Sequence, residues 1–175
     1  MMEARLEYFT VFNQTGAVAW VGSGTPGTIA NMRLPDDLFV YACTEQEFTN
    51  GGITVDRLKL IAGARVDQEA DAFCLRFVTG GVTQSMRYQQ KLAEAKGWRP
   101  NASAANFPFL SAEAAATGQD MAALVASVLA KAAEWLVIGA KVEAARLKAK
   151  ADIRAAQSAA EIHTASQVNW DAAIA

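Results

Sequence analysis

Hydrophobic and polar positions change their period near residue 63, from about two to about 3.6. That shift predicts an α+β chain, a small N-terminal antiparallel sheet followed by an Ala-rich helical bundle with one long helix. Two modules follow from it, a β module over residues 1–62 and a helical module over 63–175. In the first, Leu6–Phe12 is rich in aromatic and β-branched residues, Asn13–Gly16 is a turn signal, and Ala17–Val21 completes a hairpin. Leu38–Cys43 reads as a third strand, and Asn50-Gly51-Gly52 turns the chain into a fourth at Ile53–Leu58.

In the second module Val66, Ala70, Phe73, Cys74 and Phe77 share one face of a helix over Val66–Val78, broken at Gly80-Gly81. Further helices are predicted over Thr83–Lys96 and, from Pro108, over Phe107–Thr117 with Gly118 closing it. Asp120 caps the long helix. Along it Met121, Val125, Val128, Ala132, Trp135, Gly139, Val142, Arg146, Ala149, Ile153, Ala156 and Ala160 recur at steps of four and three. So narrow a stripe suits packing on one or two other helices, inside the chain or between subunits. Ser158 to Glu161 is a capping-box pattern, so the helix breaks there and a short one follows.

Composition adds limits. Hydrophobic residues make up 52% and the net charge is −2, which provides for a core and lacks the positive field of a non-specific nucleic-acid binder. Lys131, Glu134 and Lys141 interrupt the most apolar stretch, Met121–Val142, and speak against a bilayer span. Glu3, Arg5 and Glu7 interrupt the N-terminus where a signal peptide would need an apolar run. Cys43 and Cys74 lack metal-ligand spacing and read as reduced, half-buried residues.

The candidate chemistry is thin. Gly22–Gly27 matches G-x-G-x-x-G, yet the short Thr28–Leu34 segment that follows, ended by Pro35, is not the helix a dinucleotide fold requires. The single histidine, His163, reads as a solvated residue near a helix end. Asp67, Glu69 and Asp71 read as a helix start favoured by the macrodipole. Lys141, Arg146, Lys148, Lys150 and Arg154 read as a solvated basic face, with Lys148 and Asp152 paired, or as a contact to an acidic partner. No catalytic residue, cofactor or metal site is expected.

Three segments carry a resemblance: "NGGITVDR" (Asn50–Arg57), the run Arg65–Ala95 with Tyr88, Lys91, Leu92, Glu94 and Ala95, and the run Phe107–Trp135 with Ala112, Ala114, Thr117 and Gly118. Together with the early hairpin, these resemble small proteins encoded among the tail and tail-fibre genes of tailed bacteriophages and prophages. The resemblance implies a virion structural protein of the tail or baseplate, adapting the tail fibre through protein–protein contacts, or alternatively a fibre-assembly chaperone. It implies other tail or fibre proteins and copies of itself as partners, neither nucleic acid nor membrane, and assembly in the host bacterial cytoplasm. The residues expected at an interface are Met121, Val125, Val128, Trp135, Val142, Arg146 and Ile153, with Trp135 as the anchor or, if the stripe is intrachain, as core against Phe107, Phe109 or Tyr88.

Overall fold

The computed structural model describes residues 6–78 and 81–175, and for Val82 the backbone alone. Glu3, Arg5 and Gly80 lie outside the described residues. The fold is α+β, as the change of period predicts.

Strands β1 (Glu7–Asn13), β2 (Val18–Gly24) and β3 (Leu38–Cys43) form an antiparallel sheet in the order β2-β1-β3. The hairpin closes on Asn13, whose side-chain oxygen accepts the N–H groups of Thr15 and Ala17, both at 3.0 Å. Gly16 there takes φ +83°, a conformation that favours glycine. Central in the sheet, β1 buries Phe9, Thr10, Val11 and Phe12 in succession. Two short helices interrupt this half, α1 (Thr28–Asn31) and α2 (Glu45–Thr49). Thr44 and Glu47 form a reciprocal capping box at the start of α2.

The fourth strand expected at Ile53–Leu58 does not form. Gly51 and Gly52, at φ +87° and +123°, turn the chain back on β1, where the Ile53 N–H donates to Thr10 Oγ1 at 3.2 Å. Thr54 then opens helix α3 (Val55–Cys74), its hydroxyl accepting the Arg57 N–H at 3.3 Å. The buried series Leu58, Ala62, Val66, Ala70 and Phe73 is helical throughout and outweighs the β-branched Ile-Thr-Val run.

The remaining helices are α4 (Val82–Gly97), α5 (Pro108–Thr117), α6 (Met121–Ala155), α7 (Ala159–Ser166) and α8 (Trp170–Ile174). Gly118 ends α5 at φ +68°, and Asp120 accepts the Ala123 N–H at the start of α6 at 3.0 Å. Ser158 caps α7 by accepting the Glu161 N–H. The chain divides into two compact units that do not follow the boundary at 62/63. One holds the residues up to Glu69 together with Ala145–Asn169; the other holds Ala70–Ala144 with Trp170–Ala175. Residues 145–169 belong with the sheet because α7 buries Ala159, Ile162 and Ser166 there. In the second unit, Ala95, Phe107, Leu110, Leu124 and Val125 form one core cluster, joined by Trp98 and Met121. Ala70, Phe73 and Val142 form another with Ile138, Trp170 and Ile174.

Candidate protein-interaction surface

Helix α6 carries the residues expected at an interface, and the chain uses them for itself. Val125 (6% exposed), Val142 (3%) and Ile153 (2%) are buried, and Met121 and Val128 pack on the cluster around Phe107 and Leu110. Arg146 donates to Asp67 on α3 at 2.5 Å, and Lys150 also pairs with Asp67. These stripe residues therefore pack within the chain, where the clusters around Phe107 and Phe73 meet that side of α6. Trp135 is half-buried and lies along its own helix, its ring 3.3 Å from where a Cβ on Gly139 would stand. Glycine at 139 gives that ring its place.

A second side of α6, about 100° around the helix from that stripe, stands open. The stretch apolar enough to draw attention is only 11% buried, and α6 is long and apolar enough to cross a membrane by length and composition. Leu136 (69% exposed), Val137 (59%) and Leu129 (37%) project from it, with Ala122, Ala126, Ala130, Ala133 and Ala140 exposed between them. An apolar patch of this kind on a folded chain marks a contact surface. Sequence reasoning read one heptad stripe on this helix and missed the second. The signal was present, since Leu129 and Leu136 stand seven residues apart with alanine at the intervening steps.

Other candidates have structural partners. The loop of Gly22–Gly27 ends on α1, and the N–H groups that could hold a phosphate there are filled from within: Glu7 accepts the Gly27 N–H at 2.9 Å and the Ile29 N–H at 3.1 Å. These bonds hold its carboxyl below the usual range. His163 is not a solvated end residue. Its ring stacks on Phe39 with centroids 4.2 Å apart, and Nδ1 lies 3.3 Å from the Tyr41 hydroxyl. It sits there because α7 packs against β3, and burial, then the charge of Arg65, lowers its pKa. Asp67, Glu69 and Asp71 fall in the middle of α3, not at its start, since that helix begins at Val55. Asp67 is held below the usual carboxylate range, first by its bond from Lys150. Of the basic stretch, Lys148 pairs with Asp152 as expected, while Lys141 donates to the carbonyls of Ile174 and Ala175.

Cys43 and Cys74 are free and half-buried, and burial raises both thiols. Among the described residues no group of three His, Cys, Asp or Glu side chains stands together as a metal site. An open groove of about 560 Å³ beside the end of α6 is lined by Ala155, Ala156, Ala160 and Ala165, with Asp152, Glu161 and Thr164. Its carboxylates are engaged, Asp152 by Lys148 and Glu161 by the Gln157 N–H.

The residues of the resemblance have a shared physical role. Ala95 is buried, Lys91 pairs with Glu113 at 2.8 Å, and Glu94 is a buried carboxylate. Glu94 accepts the Phe109 and Leu110 N–H groups at 3.3 and 3.0 Å, capping α5 where Phe107 has no capping side chain. The motif thus docks α4 on α5. No protein-family model, curated protein or solved structure matches the chain.

Proposed function

We propose that this chain is a structural component of a phage tail or baseplate that adapts the tail fibre through protein–protein contacts, not through turnover. The observation that carries the reading is the open apolar side of α6, from which Leu136 and Val137 project more than half exposed. A second support is that groups suited to chemistry are engaged in holding the fold: Glu7 fills the glycine loop and His163 is stacked in place. The setting in a tail comes from the resemblance of Asn50–Arg57, Tyr88–Ala95 and Ala112–Gly118, and the partners are tail or fibre proteins and further copies of the chain. An open apolar face also suits a fibre-assembly chaperone that holds its client and leaves. Mass spectrometry of purified particles from the phage or prophage encoding the chain separates the two. The structural role requires the chain in the particle, at a fixed ratio to a tail protein. Its absence from particles, together with its capture on unassembled fibre protein, would establish the chaperone instead.

A further inference from the structure

From Gln119 to Ala175 the sequence holds no proline and a single glycine, Gly139, which lies inside α6. Yet the helix breaks twice in that span, between Ala155 and Ala159 and again after Ser166. Earlier breaks are marked: Gly51-Gly52 stands before α3, Gly81 before α4, Pro100 before α5 and Gly118 before α6. At the first unmarked break the residues are Ala155-Ala156-Gln157-Ser158-Ala159-Ala160-Glu161, a run of good helix formers around one serine. Ser158 is extended there, at φ −130° and ψ 159°.

Distant contacts hold this break. Helix α7 buries Ala159, Ile162 and Ser166. The hairpin turn sits so close to its first turn that a Cβ on Gly16 would stand 2.8 Å from the Ala160 nitrogen. On the other side of α7 the Tyr41 hydroxyl lies 3.3 Å from His163 Nδ1 and 3.4 Å from Ser166 Oγ. The local bonds come from exposed side chains. Ser158 accepts the Glu161 N–H, Glu161 accepts the Gln157 N–H, Gln157 donates to the Ala155 carbonyl and Lys59 to the Arg154 carbonyl. An unbroken helix would replace them with backbone bonds from residue i to i−4. The segment after α7 is held loosely as well. Helix α8 has five residues, and Trp170, packed near Phe73, has its Nε1 buried without a hydrogen-bond partner. Its ion pair, Asp171 with Arg76, is exposed.

We infer that residues 157–175 are a releasable arm, and that on release α6 runs on through Ser158 to the end of α7 as one helix. The docked arm is the ground state of the free chain, because it buries Ile162 and stacks His163 on Phe39. Release takes α8 with it, uncovers Phe39 and Tyr41 on β3, and lengthens the helix from about 52 to about 69 Å at ~1.5 Å per residue. Ser158 is the hinge. The same residues have two packings, an element that assembly contacts can bias.

NMR of the full chain tests this. In the wild type the Ile162 amide should exchange at least tenfold faster than the Val11 amide of the central strand, since the arm opens before the sheet does. Ile162→Glu puts a charge at a fully buried position and expels the arm. Helical Cα shifts should then continue from Ala155 through Gln157 and Ser158 into α7. His163, the single histidine and so a single ring signal, should lose the ring-current shift that Phe39 gives it. Adding Ser158→Ala should strengthen the helical shifts at 157 and 158, and Ser158→Gly should weaken them, because glycine is tolerated at a cap and disfavoured inside a helix. Where Ile162→Glu disrupts the sheet, Ile162→Ala gives the same readings more mildly. Coil shifts from Gln157 onward whatever stands at 158 would overturn the inference. So would equal protection of Ile162 and Val11, or loss of the sheet's signals together with those of α7 in both variants.

Discussion

Helix α6 has two apolar stripes of the same heptad spacing, and they have opposite fates. The inward one carries Val125, Val142 and Ile153 and is buried by the chain's own helices. The outward one carries Leu129 and Leu136 among alanines and stands in solvent. The difference teaches that periodicity reports a helix able to pack on two sides without saying which side its own fold will cover. What decides is the rest of the core. The inward stripe meets Phe107, Leu110 and Phe73, and its β-branched residues fit a packed interior.

Substitution can break this contrast most sharply on the inward side. Ile153→Ala should cost the folded chain about 2–5 kcal/mol, whereas Leu136→Ala should change monomer stability by no more than about 0.5 kcal/mol. Urea unfolding of the two variants measures this, and equal losses would erase the distinction between the stripes.

The second effect in size belongs to Glu94. Its carboxylate holds the first free N–H groups of α5, so Glu94→Ala leaves buried donors without a partner and should cost about 1.5–3 kcal/mol. Glu94→Gln, which keeps one acceptor, should recover part of that loss in the same unfolding experiment. The expected order is wild type, then Gln, then Ala.

The sheet-bearing unit offers the smallest effect, a pH dependence. The folded His163 pKa is lowered by burial, so the unfolded chain binds the proton more readily. The contribution is fully present above the unfolded value of about 6.5 and declines as pH falls through it toward the lower folded value. Melting temperature should therefore drop between about pH 7.5 and 5.5, and His163→Gln should flatten that slope. Asp67 acts in a separate window. Held low by Lys150 and Arg146, it favours the fold above about pH 3.9 and loses that effect as pH falls further.

Much of the architecture is legible in the residues. Leu38–Cys43 is a strand over the predicted range, Gly118 ends α5, and Ser158 caps α7, while the Glu161 carboxylate accepts the Gln157 N–H and leaves the expected box half formed. These are local signals, each a cap, turn or alternation that acts within a few residues. Ile53–Leu58 misleads because three of its residues favour strands, while the i, i+4 series that begins at Leu58 continues far beyond the window and prevails. The placement of His163 depends on β3, more than a hundred residues away, and nothing near it in sequence announces Phe39 or Tyr41. Likewise Arg146 gives no sign in its own helix that Asp67 on α3 is its partner. The candidate surface was legible as a property of α6 and illegible as a choice of side, because that choice is made by tertiary packing.

The most direct test of the account is incorporation into particles by a chain altered only on the outward stripe. A Leu136→Glu variant should fold with the wild-type melt, since that side chain is 69% exposed, and should be depleted at least tenfold from purified particles by quantitative mass spectrometry. Incorporation at the wild-type ratio would contradict the claim that this side of α6 is the contact surface.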